Sequence, residues 1–309
     1  MDRRKKLLNR AKVWLKLVLI FFSLLFSFSV FLIVVLIFNV PYIRKAIFGK
    51  LPFKVDKKPW SGIKTIEYIE GLYIDIFYPR SRKRGTVLFA HGGGWISGYR
   101  RQPNNLSWYK FLVSKGFVVA AVDYSRGYKG GIEKLIEELS HALIFLNKNA
   151  TQLGLPNEKI SLMGLSAGGH LALLTAAKMY TLVKNVVAYY APCDLLDVWE
   201  SPSLFARIAL ITTLKRLPTR SKEVYAKFSP INVAHASMPP VLLVHGKRDS
   251  IVPYESSVKM FRKLKKLGCQ VKLLTHPQAN HGFEFVLRDE ETKQIIEQTV
   301  EFLSEGGSN

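Results

Sequence analysis

From about Trp60 to the end of the chain, short apolar runs alternate with longer amphipathic stretches. The first two runs, residues 64–70 and 72–78, join through Gly71 in the manner of a hairpin. Six more follow at 86–90, 117–122, 160–163, 183–190, 241–244 and 271–275. Near-continuous apolar runs of this kind suit strands covered on both faces. Helical spacing marks 106–114, 132–149, 167–180, 256–267 and 291–303. In the second of these, Ile132, Leu135, Ile136, Leu139, Leu143 and Leu146 form one apolar stripe beside Glu133, Lys134, Glu137 and Glu138. Strands alternating with helices predict an α/β domain over residues 60–309 with a mostly parallel sheet flanked by helices. Only residues 194–238 interrupt the alternation, and they are too short to form a second domain.

The N-terminal pattern is different. Between Leu17 and Phe38 there are 22 residues without a charge. As a helix they would span roughly 33 Å, against a hydrocarbon core of about 30 Å. A cleaved signal peptide has a shorter apolar region and a small-residue cleavage site. This run instead ends in Asn39-Val40-Pro41-Tyr42, so it is expected to be an uncleaved transmembrane anchor. The chain then divides into a basic segment (1–16), the anchor (17–38), a juxtamembrane linker (39–59) and the α/β domain. Seven basic residues precede the span and six follow it closely, a slight excess that faces the N-terminus to the cytoplasm and the domain outward.

Charge supports a membrane over nucleic acid. Of the formal net charge of +22, half falls in residues 1–58, where thirteen Lys and Arg face only Asp2 and Asp56. The remainder is diffuse, without an arginine-rich stretch or a nucleic-acid-reading motif, so no nucleic-acid partner is expected. A hydrophobic content of 48% excludes disorder, and two cysteines exclude a disulfide scaffold. Cys193 and Cys269 have no metal-ligand spacing, and no metal or cofactor is expected.

The strongest chemical signal is Gly164-Leu165-Ser166-Ala167-Gly168, set between a strand and a helix. A sharp turn there lifts a serine hydroxyl clear of the sheet edge and crowds the residues two before and two after it, so both must be small. The helix starting at Ala167 aims its free N–H groups at the place where negative charge develops. Upstream, His91-Gly92-Gly93-Gly94-Trp95 follows another strand. Three glycines let the Gly93 and Gly94 amides approach a substrate oxygen and, with the Ala167 N–H, form a donor cluster for an oxyanion. His91 is expected to fix that loop.

Such a serine needs an acid and then a histidine in chain order. Asp249 follows one strand end; Asp194 and Asp197 follow another and compete with it. Of the seven histidines only His276 and His281 come after Asp249, and His281 occupies the looser segment. His276 reads as a packed strand-end residue, and His141 and His170 as helix residues.

With these motifs together, the sequence resembles the serine hydrolases of the α/β-hydrolase fold, close to the hormone-sensitive-lipase and feruloyl-esterase-like carboxylesterases. The resemblance rests on residues 91–95, Asp123-Tyr124-Ser125, 164–170, 245–253 and 280–283, covering about 60–305. It implies Ser166, Asp249 and His281 as catalytic residues, Gly93, Gly94 and Ala167 as the oxyanion hole, and Trp95 at the substrate. It also implies a small-molecule or lipid ester as partner and an acyl-enzyme intermediate. Residues 201–220, with Leu204, Phe205, Ile208, Ile211 and Leu214 at helical spacing, are the cap candidate, which would cover an acyl pocket, touch lipid or be a plain surface helix. Amide or formyl substrates, as in the arylformamidase group, peptide substrates, and an inactive membrane-tethered binding module are the alternatives.

Overall fold

The computed structural model describes residues 48–305 and, before them, positions 14–16, 18–19 and 44. The anchor expected at 17–38 therefore lies outside the described residues except for Val18 and Leu19. Among the described residues no helix is long and apolar enough to cross a membrane.

Eight strands form one sheet: β1 (Trp60–Ile69), β2 (Leu72–Pro79), β3 (Gly85–Ala90), β4 (Phe117–Val122), β5 (Ile160–Leu165), β6 (Val183–Tyr189), β7 (Val241–Gly246) and β8 (Val271–His276), in the order β1-β2-β4-β3-β5-β6-β7-β8. The pairs β1–β2 and β2–β4 are antiparallel and the other five are parallel. This is the mostly parallel sheet the alternating pattern predicts. β3 to β7 are buried at every position, as continuous apolar runs require. β1 carries the exposed Lys64 and Glu67 and has no buried position, and charges on it protect the sheet edge from pairing with another chain.

Successive residues of a strand point to opposite faces, so each strand feeds two cores. Leu88, Ala90, Val118, Ala120 and Val122 pack on one side; Val87, Phe89, Val119 and Ala121 pack on the other. The first core is covered by α2 (Gly127–Lys148), α3 (Ala167–Lys178) and α8 (Tyr254–Lys266). The second is covered by α1 (Pro103–Ser114) and α9 (Glu290–Ser304). Within α2 the backbone leaves helical geometry at Gly131 (φ 75°, ψ 178°), so the regular helix begins where the apolar stripe begins, at Ile132.

Residues 194–238 form four short helices, α4 (Leu195–Glu200), α5 (Leu204–Leu214), α6 (Lys222–Lys227) and α7 (Pro230–Val233). The end of the expected linker is not a bare stalk. Leu51 is buried, its N–H donates to Ser107 Oγ at 3.2 Å, and the Phe53 ring stacks on Phe111 at 4.3 Å. Leu51, Phe53 and Val55 lie on the second core.

Candidate active site

All the chemically notable residues sit at the carboxyl ends of the parallel strands, where an open α/β sheet leaves a crevice. Ser166 follows β5 with φ 51° and ψ −118°, a conformation an L-residue adopts only under strain. Its neighbours show how that strain is accommodated. A side chain on Gly164 would run into the Gly168 backbone, and one on Gly168 into the Ala90 and His91 carbonyls. The turn is thus wedged against the end of β3, and the Ser166 N–H is held by the Tyr189 carbonyl of β6 at 2.9 Å.

His281 arrives from the loop after β8 and Asp249 from the loop after β7. His281 Nε2 lies 3.0 Å from Ser166 Oγ, and His281 Nδ1 lies 2.7 Å from Asp249 Oδ2. Asp249 Oδ1 accepts the Ile251 and Val252 N–H groups at 2.8 and 2.9 Å. Burial alone would push the Asp249 carboxyl up, but the facing His281 and the hydrogen bonds from His245 and His281 outweigh it and hold Asp249 well below the usual range. The carboxylate is therefore ionised and fixes the Nδ1–H tautomer of His281, leaving Nε2 to receive a proton from the serine.

The rival residues have other occupations. Asp194 caps α4, accepting the Leu196 N–H at 3.0 Å, and Asp197 pairs with Lys259 at 2.6 Å. His276 Nε2 meets Asp289 at 3.2 Å. His91 is buried, its ring stacked on Tyr124 at 4.1 Å with Nδ1 on the Gly92 carbonyl, and burial pushes it down to about 4. That is the loop-fixing position expected of it. Cys193 and Cys269 are both free thiols.

The glycine loop lies against Ser166. A Cβ on Gly92 would stand 3.2 Å from the Leu165 carbonyl and 3.7 Å from Ser166 Cβ. Gly93 (φ 125°) and Gly94 (φ 59°) take conformations that favour glycine. Ala167 opens α3, so its N–H is one of the helix-end donors without an acceptor inside the helix. Trp95 departs from the substrate contact expected of it. Only 3% of its surface is exposed, and its Nε1–H donates to His170 Nδ1 at 3.3 Å. The indole braces the loop from behind, because its own strained φ of 62° turns it into the core.

Two groups around the triad escaped the sequence patterns, and a third, His245, was legible only as part of the 245–253 segment. His245, fully buried at the end of β7, places Nε2 3.0 Å from the Val252 carbonyl and 3.2 Å from Asp249 Oδ2, while its Nδ1 meets Ser257 Oγ at 2.7 Å. Asp249 therefore has two imidazoles. Tyr190, just past β6, is forced to φ 38° and sets its ring 4.3 Å from the His281 ring. Its hydroxyl donates to Glu284 Oε1 at 2.6 Å. Glu284 is fully buried between Phe283 and Phe285, and its other oxygen has no hydrogen-bond partner among the described residues. Burial pushes its carboxyl up to about 7 despite the Tyr190 hydroxyl and the nearby Trp108 indole and His281. A lone glutamate flanked by two phenylalanines was the available signal.

The sign of its effect on stability follows. The folded carboxyl keeps its proton to about pH 7, whereas an unfolded glutamate releases it near 4.3. Between those values the native state binds the extra proton, so stability falls as pH rises, by up to about 4 kcal/mol. Glu284→Gln is expected to remove that slope, so the Tm of the variant rises relative to wild type between pH 5 and pH 8. A constant difference across the window would mean that Glu284 is ionised throughout.

α5 lies over the glycine loop. A Cβ on Gly94 would meet the Phe205 ring at 2.8 Å and Ala209 at 3.3 Å, so the cap closes down on the backbone expected to hold an oxyanion. A separate cavity, lined by Asn185, Pro240, Val271 and Phe302, lies at the amino ends of β6, β7 and β8, away from this chemistry.

The sequence model of the family BD-FAE matches residues 74–264. A probable isoprenylcysteine α-carbonyl methylesterase of Oryza sativa subsp. japonica is 29% identical over 69% of this chain and 56% of its own length. Esterase LipC of Mycobacterium tuberculosis is 27% identical over 65% of this chain and 53% of its own. The chain thus spans about half the length of the curated relatives it matches. The esterase of Pyrobaculum calidifontis superposes with a TM-score of 0.69 at 22% identity, covering 86% of this chain and 89% of that one, and shares the fold.

Proposed function

The chain belongs to the BD-FAE family, among the hormone-sensitive-lipase-like carboxylesterases of the α/β-hydrolase fold, and on that footing we propose that it is a serine carboxylesterase held at a membrane. The observation that carries the activity is the unbroken line from Asp249 through His281 to Ser166 at 2.7 and 3.0 Å.

In this reading His281 Nε2 takes the Ser166 proton as Oγ bonds to the ester carbonyl carbon. The Gly93, Gly94 and Ala167 N–H groups receive the resulting oxyanion. The carbon–oxygen bond to the alcohol then breaks, and His281 returns its proton to the departing alkoxide. Water, deprotonated by the same imidazole, releases the acid and restores Ser166. Asp249 stays ionised throughout and steadies the imidazolium.

The 22-residue apolar run of 17–38 supports an N-terminal anchor with the N-terminus toward the cytoplasm and the enzyme domain outside. Relatives named as methylesterase and esterase support small or lipid-derived esters as substrates. In the test, the full-length chain is expressed and its membrane fraction washed with alkaline carbonate. The expected result is retention in the pellet, turnover of p-nitrophenyl butyrate, and labelling of Ser166 by a fluorophosphonate. Release by carbonate removes the anchor. Absence of both labelling and turnover leaves an inactive binding module, and faster turnover of an arylamide than of its ester assigns an amidase.

A further inference from the structure

α5 is apolar all round: its eleven residues carry a single charge, Arg207. A helix of that composition is normally enclosed by protein. Here Ala206, Ala209, Leu210, Thr213 and Leu214 face inward, while Leu204 and Ile208, one turn apart, are 56% and 49% exposed. Phe205 between them and Leu217 just beyond the helix are also about half exposed. The outward face of α8, by contrast, is studded with Glu255, Lys263, Lys265 and Lys266, as an ordinary surface helix is.

Charge identifies what covers this face. From Ser201 to Lys222 there are five basic residues and no acidic one. Four of them, Lys215, Arg216, Arg220 and Lys222, follow the C-terminal end of the apolar stripe and are exposed. Leucine and isoleucine in the open, bordered by long cationic side chains, match the boundary of an anionic bilayer, where the apolar groups enter the acyl layer and the cations reach headgroup phosphates. A nucleic acid offers nothing for the bare Leu204 and Ile208.

We propose that the outer face of α5 docks on the surface of an anionic lipid bilayer. Because the ring of Phe205, at the edge of that face, and the inward Ala209 close on Gly94, docking sets the approach to Ser166 against the membrane. A lipid-derived ester then passes from the bilayer to the serine without crossing water. That consequence rests on the esterase reading; the docking itself does not.

The test uses the full-length chain reconstituted in vesicles, so that any N-terminal tether is present in every sample. An environment-sensitive nitrobenzoxadiazole dye is placed at Leu204→Cys in a Cys269→Ser background. The expected result is a blue shift of its emission on phosphatidylcholine vesicles containing phosphatidylglycerol, and little shift on phosphatidylcholine alone. Each basic residue beside an anionic surface strengthens partitioning about fivefold. R216E/R220E is therefore expected to lower the docked population at least tenfold, and with it the turnover of a long-chain ester carried in the vesicles. Its turnover of soluble p-nitrophenyl butyrate should stay within twofold of the parent. Dye that remains in water on both vesicles overturns the proposal, as does a shift indifferent to phosphatidylglycerol or to charge reversal. A concentration-dependent shift without lipid would make this face a contact between copies, and equal losses on both esters would make the arginines part of the site. A wild-type chain that shows the lipid-dependent shift yet turns over no ester sinks the esterase reading alone.

Discussion

Ser166→Ala is expected to lower kcat for p-nitrophenyl butyrate by about 10⁵ to 10⁶-fold while leaving the fold intact. Losing the nucleophile of such a triad costs about that much, and the residual rate comes from the oxyanion donors and binding. KM should change far less, because the hydroxyl acts in the transition state and not in substrate capture. Alanine can occupy φ 51° at the same strain as serine, so thermal unfolding should be unchanged. Ser166→Gly separates catalysis from folding further. Glycine takes a positive φ freely, so this variant should be equally inactive yet more stable by about 1 kcal/mol. Matched measurements of kcat and Tm on the three proteins decide the matter. If Ser166→Ala kept even a tenth of the parent rate, acyl transfer through this residue would be wrong. A Ser166→Gly protein no more stable than the parent would mean that the turn holds no strain.

Asp249→Asn carries the second-largest effect, a loss of about 10⁴ in kcat. Its cause is a count of donors. Oδ1 accepts the two backbone N–H groups of Ile251 and Val252, and Oδ2 faces the ring nitrogens of His281 and His245. An asparagine must turn its NH₂ toward one of these pairs, placing donor against donor. The backbone pair cannot change, so the amide hydrogens face the imidazoles and drive His281 into the other tautomer. Nε2 then carries a hydrogen and cannot take the serine proton. Stability responds as well. Asp249 is held below its unfolded value, so its contribution is present above about pH 4 and disappears as pH falls through and below that point. The destabilisation caused by Asp249→Asn should therefore be large at pH 7 and shrink toward pH 3 in denaturant titrations. Unaltered turnover in the variant would show that another group orients His281.

The two predictions separate what local pattern reveals from what it hides. The strand at 117–122 and the helix stripe from Ile132 were legible because burial imposes a period on the chain itself. The Gly164 and Gly168 spacing was legible because a sharp turn crowds its immediate neighbours. Asp249 could be ranked above Asp194 and Asp197 only through family resemblance, since each simply follows a strand. The geometry decides between them by sending Asp194 to a helix cap and Asp197 to Lys259.

Other features left weaker traces or none. Residues 51–55 hold Leu51, Phe53 and Val55, but in a basic stretch they read as linker until α1 is there to receive them. The resemblance implied Trp95 at the substrate, yet its backbone angle turns it toward His170. Tyr190 and Glu284 belong to no motif and His245 was legible only as the start of the 245–253 segment, because what they do depends on neighbours brought in by the fold, as with Tyr190 and Glu284 94 residues apart.

The amino-acid sequence by itself determined the alternation of strands and helices, the sharp turn at Ser166, the glycine loop and the apolar N-terminal run, all of which depend on residues a few positions apart. The tertiary structure alone decided which carboxylate faces which imidazole, which tyrosine and glutamate close around His281, and which side of α5 is left bare. Those choices depend on how loops from β5, β6, β7 and β8 meet at one sheet edge. Adjacency in a fold is set by packing the strands side by side, and no local periodicity encodes which loop ends will touch.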